Sequence, residues 1–295
     1  MSSFTVITDS TADIPKAQAA ELGLEVMPLS ITFTDKGETY DIFNEQENID
    51  INEFYRRLVD EKISTAQVNP FQFETVFERI LQQGQDLIYT GLAGGLSKTF
   101  ESSQKAKSTL EKKYPDRTIA CVDSASVASG LHLAIMELVR LRDEGFTAAD
   151  AAQFLEDNKL RITHLFSVDD YKYLHRGGRL STFQTLAGTA LGIVPILHVQ
   201  DDGTLANLEK TRGLKKAMNR IVELICENIA DKLYPTIYIS HGAAPEKVDI
   251  LRSQILEQIP GANIICGDST RVGPIVGSHV GPGVVAIFFW SPHRI

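Results

Sequence analysis

The chain has 295 residues, 43% of them hydrophobic and 23% charged, which suits a folded globular protein with room for two domains and a sizeable core. A net charge of −9 excludes bulk nucleic-acid binding, which needs a basic footprint. Cys121, Cys226 and Cys266 are odd in number and share no metal-ligand spacing, so they read as reduced core thiols. No leader pattern precedes the first strand and no apolar run nears the ~18 residues of a membrane span, so a cytoplasmic location without stable membrane insertion is expected.

Phe4–Thr8 is a β-rich run, and Asp9-Ser10-Thr11-Ala12-Asp13 supplies turn and cap chemistry before Pro15. Leu29–Thr34 alternates as a strand, Asp35–Glu38 turns it, and Thr39-Tyr40 begins the return. Helical spacing covers residues 51–59 and 70–83, with Asn69 as a cap for the second helix. Apolar strands at 87–89 and 119–122 each lead into a helix, at 99–113 and 129–142, and a further helix covers 147–160. This alternation predicts a mostly parallel sheet with helices on both faces. The second half opens with a strand at 165–168 and a short helix at 169–175. A hairpin over 195–209, a long helix at 213–233, a strand at 236–240, a helix at 245–258 and a strand at 263–266 follow. Val284–Trp290 closes the chain as an apolar strand. The fold class is α/β in two domains, 1–160 and 161–295, the second also α/β.

The chemistry concentrates in a few segments. Thr90-Gly91-Leu92-Ala93-Gly94-Gly95-Leu96-Ser97-Lys98-Thr99 joins a strand end to a helix start, where backbone N–H groups and the helix dipole favour an anion. It is not a phosphate loop, because Leu92 stands where the first glycine belongs and Ser97 where the glycine before Lys98 belongs. Nor is it a nucleophile elbow, since Gly95-Leu96-Ser97-Lys98-Thr99 lacks the second glycine of G-x-S-x-G. His279 sits in a glycine-rich loop with no acid beside it in sequence. Arg176-Gly177-Gly178-Arg179, and Lys210, Arg212, Lys215, Lys216 and Arg220 after it, are basic clusters suited to an anionic partner or a phosphate. Each segment also has a plain reading: a capped turn, a loop histidine, a solvated helix face.

Six segments in order resemble the DegV family of bacterial fatty-acid-binding proteins, over essentially the whole chain. Thr8-Asp9-Ser10-Thr11-Ala12-Asp13 is similar to the family's T-D-S-T-x-D, and Thr65-Ala66-Gln67-Val68-Asn69-Pro70 to part of T-S-Q-P-S-P. Gly95–Ser102 resembles G-L-S-G-T-Y-N-S, and Val122-Asp123-Ser124 with Ser129-Gly130 resembles V-D-S-x-x-x-S-x-G. Leu174–Ser181 resembles L-x-R-G-G-R-I-S, and His279–Gly283 resembles H-x-G-P-G. The resemblance implies one long-chain fatty acid held between the two domains. Its carboxylate would be bound by Thr65, Ser97 and His279, with Gly95, Lys98 and Ser124 as additional site residues. It implies a carrier, not an enzyme, with no cofactor or metal. The carrier presents its acid to a dihydroxyacetone-kinase-like fatty acid kinase that makes the acyl phosphate. Arg176 and Arg179 would contact that partner or the phosphate.

Leu92, Leu96, Phe100, Leu186, Leu191, Ile193 and Val194 are expected tunnel walls. Ala66, Val68, Gly94 and Lys98 depart from the family pattern, and Lys98 puts a cation near the turn. The rival reading is a serine esterase or thioesterase using Ser97 and His279, with Asp9 or Asp123 as the orienting acid. A phosphoryl-transfer enzyme is disfavoured for lack of a phosphate loop, and a carrier of another amphipathic acid shares the same motifs.

Overall fold

A computed structural model describes residues 4–43, 49–179, 192–230 and 235–295. Three sheets carry the architecture. The first is wholly parallel, in the order β2-β1-β6-β7, from β1 (Phe4–Asp9), β2 (Glu25–Met27), β6 (Asp86–Gly91) and β7 (Ile119–Asp123). The second is a small antiparallel sheet, β4-β3-β5, from β3 (Ser30–Phe33), β4 (Glu38–Asp41) and β5 (Ile63–Ala66). The third has six strands in the order β10-β9-β8-β13-β11-β12. Its members are β8 (Ile162–Ser167), β9 (Ile193–Val199), β10 (Leu205–Arg212), β11 (Thr236–His241), β12 (Asn263–Arg271) and β13 (Val285–Trp290). Only β11 and β12 of this sheet run parallel. The result is two α/β domains, the first mostly parallel and the second mostly antiparallel.

The helices fill the spaces between. On one face of the parallel sheet, α3 (Pro70–Gln82) and α4 (Thr99–Leu110) bury Phe73, Phe77, Ala106 and Leu110 against Ile7, Leu87 and Tyr89. Asn69 caps α3 through a reciprocal capping box with Gln72, satisfying two otherwise orphaned donors. On the other face lies α5 (Ser129–Asp143), which buries Leu131, Leu133, Ile135, Leu138 and Leu141 around its circumference. A helix apolar on all sides must be covered on all sides. The parallel sheet supplies one cover through Val6 and Ile88, and the six-stranded sheet supplies the other through Phe166, Leu197 and Phe288. Beyond that sheet, α8 (Leu214–Asn228) and α9 (Pro245–Gln258) pack on Ile237, Ile287 and Phe289. The order of layers is therefore helix, sheet, helix, sheet, helix.

α2 (Ile51–Leu58) packs Phe54 and Leu58 with Ile31 and Phe33 of the small sheet. Arg57 stacks 3.5 Å over the Phe33 ring and is held there by Glu38 and Glu61. Tyr55, also on α2, points the other way and enters the second domain. Its hydroxyl donates to the Val272 carbonyl at 2.8 Å, and a side chain at Gly242 or Gly277 would collide with it. Nearby, the Asp13 carboxyl faces the Gly273 backbone N–H, at the start of α10 (Pro274–Val280).

Most expected elements form where they were expected. Two differ. Residues 63–66 form a strand, because Ser64 and Thr65 pair with Thr32 and Ile31. His279 lies on a helix and not in a loop: Pro274 starts α10, and Gly281 at φ 78 ends it. Cys121 and Cys266 sit on strands as expected but are only partly buried, and no disulfide joins the three cysteines. Leu180, Ser181, Leu186, Leu191 and the end of the helix expected at 213–233 fall outside the described residues. No helix among the described residues is long and apolar enough to cross a membrane.

Burial, with the Asp9 charge adding, pushes Asp13 up to about 8 against the help of the Gly273 N–H. A carboxyl held protonated in the fold but free in the unfolded chain binds more protons when folded. Its stabilisation is full below pH 4 and is lost as pH rises through about 8. Asp13→Asn should therefore flatten the decline in stability between pH 5 and pH 8, leaving the variant more stable than the parent at pH 8. Denaturant midpoints at the two pH values measure this, and an unchanged slope would refute it.

Candidate functional site

One apolar cavity of about 350 Å³ opens between the two domains, at the lower end of the ~300–1,000 Å³ usual for small-molecule sites. Leu29, Leu92, Leu96 and Val127 line it from the first domain, and Phe166, Leu205, Val284 and Phe288 from the second. Its polar lining includes Thr65, Ser97, Arg179 and His279. Residues 214 positions apart in sequence meet here: the Thr65 hydroxyl and His279 Nε2 share a hydrogen bond of 3.1 Å.

Each group is placed by the local chain. Thr65 is fixed by the register of β5 against β3, opposite Ile31. His279 is carried by α10, anchored at its start by the Tyr55 hydroxyl on Val272. After α10, Gly281 and Gly283 have φ of 78 and 82, and a side chain on either would strike Tyr173 or Asp169. That explains the glycines of the final motif. Gly177 ends α7 (Lys172–Arg176) directly under the imidazole, where a methyl group would strike His279 Nδ1. Burial, with Arg179 and then Arg176 adding, lowers the His279 pKa to about 4. The imidazole is neutral near pH 7, with Nε2 on Thr65 and Nδ1 without a partner.

The turn after β6 works differently from its sequence reading. Five of its backbone N–H groups are used internally. Leu92 donates to Asp9 Oδ2, Ala93 to the Ser126 carbonyl and Gly94 to Asp123, while Leu96 and Ser97 donate to the Ala93 carbonyl. The turn is therefore not a cradle of free amides, and the Ser97 side chain is what it offers to the cavity. Ser97 Oγ accepts from the Thr99 N–H at 3.2 Å and lies 2.9 Å from Thr99 Oγ1. With Thr99 donating, the Ser97 hydrogen is left for an acceptor in the cavity.

The three additional site residues lie elsewhere. Lys98 is exposed at the first position before α4, outside the lining. Gly95 abuts the hairpin turn of the second domain, with an added side chain only 2.5 Å from the Asp202 carbonyl, so it is a packing residue. Ser124 is buried and spends its hydroxyl on the Gly91 carbonyl at 2.5 Å while accepting from the Ser126 N–H. It stabilises a bend in which Ala125 and Ala128 hold left-handed φ values of 46 and 52.

Arg179 lines the cavity, donating from Nε to the Leu96 carbonyl at 3.2 Å and from Nη1 to the Gly177 carbonyl. It shares the lining with Thr65, Ser97 and His279 and is partly exposed. Arg176 is exposed, stacked 5.3 Å from the Tyr173 ring. Arg220, in the second basic cluster, is committed to Glu209, Glu223 and Glu227. Among the expected walls, Leu92 and Leu96 line the cavity. Phe100 packs with the first-domain core and Val194 with the outer core of the second, and neither they nor Ile193 line it.

The esterase reading is corrected by these contacts. Ser97 bonds to Thr99 and not to His279, and His279 bonds to Thr65. Neither candidate acid reaches the imidazole. Asp9 accepts from Thr11, Tyr89 and Leu92, and Asp123 from Gly94 and Ala125. A serine nucleophile needs a base in contact and a group that orients the base.

Residues 3–291 match the family model described as "Uncharacterised protein, DegV family COG1307". A DegV domain-containing protein of Clostridium perfringens is 33% identical over 290 residues, 98% of each chain. Two solved structures share the fold. One, described as a fatty acid binding protein, DegV, from Bacillus subtilis, is 28% identical with a TM-score of 0.83 over 99% of this chain and 100% of that one. The other, a DegV family protein from Thermus thermophilus described for its fatty acid binding, is 25% identical with a TM-score of 0.85 over the same shares.

Ser124→Ala strands the Gly91 carbonyl and the Ser126 N–H. It should cost about 1–3 kcal/mol of stability and leave ligand affinity within twofold. Chemical denaturation and a ligand titration of the same variant separate the two effects. A large affinity loss at unchanged stability would return Ser124 to the site.

Proposed function

This chain belongs to the DegV family, and from that premise we propose that it binds one long-chain fatty acid between its domains, divided near residue 160. The observation that carries the reading is an apolar cavity between the domains with Thr65, Ser97, His279 and Arg179 together in its lining. The fatty acids bound by the Bacillus and Thermus relatives support it.

The physics of an amphipathic acid fits this lining. An ionised carboxylate taken from water needs several donors, and hydrogen bonds to a charged acceptor are the stronger kind. Two hydroxyls, an imidazole N–H and the Arg179 guanidinium provide them. The carboxylate also favours the protonated imidazole, opposing the burial that holds His279 low. The tail supplies the bulk of the affinity: about 15 methylenes at roughly 0.8 kcal/mol each give about 12 kcal/mol gross, before ordering and association costs.

Binding through hydroxyls leaves the carboxylate chemically available. The finer reading is a non-enzymatic carrier in the cytoplasm that presents its acid to a dihydroxyacetone-kinase-like fatty acid kinase, which forms the acyl phosphate. Arg176, exposed beside the cavity-lining Arg179, supports a partner-facing role for that turn.

Native mass spectrometry of the purified protein should show a co-purified species of fatty-acid mass. Thr65→Val and Ser97→Ala should each weaken fatty-acid binding tenfold or more, the effect of losing about 1.5–3 kcal/mol of charge-assisted hydrogen bonding. Unchanged affinity in both variants would remove the head-group assignment. Arg176→Glu should lower acyl-phosphate output in the presence of the kinase at least fivefold while sparing acid binding, and undiminished output would remove Arg176 from the partner surface.

A further inference from the structure

Lys247 is a buried cation outside the lining of the cavity. It stands in the first turn of α9, after Pro245, and is 5% exposed. Lysine is almost never fully buried unless it is paired. Here the ammonium donates to two acceptors, Asp169 Oδ1 and the Gly283 carbonyl, each at 2.5 Å. Asp169 itself is exposed, so the pair keeps its cation inside and its carboxylate toward water.

The two acceptors belong to the two segments that shape the polar end of the cavity. Asp169 stands between β8 and α7. Gly177 at the end of α7 lies against the His279 ring, and the chain beyond it brings Arg179 into the lining. Gly283 follows α10, the helix that carries His279. The segments also meet where a side chain on Gly281 would strike Tyr173 of α7, and where one on Gly283 would strike Asp169. Gly283 is fixed independently of the lysine. Its N–H donates to the Gly242 carbonyl at 2.7 Å, and the Gly242 N–H donates back to the Val284 carbonyl at 2.9 Å. What the ammonium adds is a tie from that fixed point to the start of the segment bearing Arg179. Methionine in the same space would avoid desolvating a charge, but it would leave the Gly283 carbonyl without this donor and release Asp169.

We propose that Lys247 is a positioning residue for the head group. It holds residues 169–179 against the end of α10, so that Arg179 and His279 meet the carboxylate together. Hydrogen bonds weaken steeply with misalignment, and those to a charged acceptor have the most to lose. The apolar walls at Leu92 and Leu96 belong to the first domain and do not hang on this tie. Its loss should therefore fall on the acid head and spare the tail.

The inference rests on the fatty-acid reading, and the ligand pair separates the two. Dissociation constants are measured for myristate and for 1-tetradecanol, which keeps the tail and lacks the anionic head. The proteins are the wild type, Lys247→Met and Asp169→Ala. The wild type should bind both ligands, the acid more tightly. Each variant should weaken myristate binding fivefold or more, about 1 kcal/mol, and leave tetradecanol within twofold. Equal losses for acid and alcohol would give the tie a merely structural role and overturn the inference alone, as would unchanged myristate affinity. If Lys247→Met does not fold, Asp169→Ala decides by the same criteria, since it alters an exposed residue. A wild type that binds the alcohol as tightly as the acid overturns the inference together with the head-group assignment. One that binds neither overturns the fatty-acid reading as well.

Discussion

The buried hydrogen bond from Tyr55 to the Val272 carbonyl is the constraint on which the rest of the site depends. Tyr55 belongs to a helix of the first domain, and Val272 immediately precedes the residues that carry His279. The phenol lies so close to Gly242 and Gly277 that neither tolerates a side chain. A ring wedged against two glycines has little freedom to slide. The spacing between Thr65 and His279 follows from that wedge, with the Asp13 carboxyl at the start of the same helix as a second restraint. A loop-borne histidine would spend conformational entropy on every binding event, whereas one on a docked helix has already lost it in folding.

Under the proposed function, the polar end of the cavity is an anion site kept reachable. A lysine buried in the lining would carry a large desolvation cost in the free protein and form a tight pair with the acid. Here three of the four groups are neutral: two hydroxyls, and an imidazole whose pKa is lowered to about 4 by burial and by the adjoining arginines. The full charge belongs to Arg179, which is only partly buried and already held by two carbonyls. Donors that are neutral before the ligand arrives have less solvation to lose.

The alternation of strands and helices was legible because β1, β6 and β7 read as apolar or β-rich runs, whereas β2, three residues that begin on a charge, did not. Residues 63–66 were not, since β5 carries Ser64 and Thr65 and gains its strand character from pairing with β3. The helix bearing His279 was hidden by its glycines. Gly277 admits Tyr55 and Gly281 ends the helix, so glycine content reports close packing as well as a loop. Ser97, Thr65 and His279 could be brought together from sequence only through the family resemblance, because nothing local links residues 214 positions apart. Ser124 shows the converse: a motif serine whose hydroxyl serves the backbone of its own bend.

The cavity walls come from both domains, so an apolar ligand in it becomes part of the core the domains share. Leu92 and Leu96 on one side and Val284 and Phe288 on the other would touch the same tail. Filling the space adds dispersion contacts that the lining lacks on its open side. Binding and domain docking are then one equilibrium, and by linkage a ligand that binds only the docked form stabilises it by RT ln(1 + [L]/Kd). Release must run the same path backwards, giving up tail contacts and interdomain contacts together. In the proposed reading, a partner acting on a carboxylate at the polar end needs no such opening, because Thr65, Ser97 and Arg179 are each only partly buried. On the function proposed above, chemistry on the head with the tail still enclosed is the cheaper route for handing on the acid, and its physical basis is a partly exposed polar end beside an apolar body.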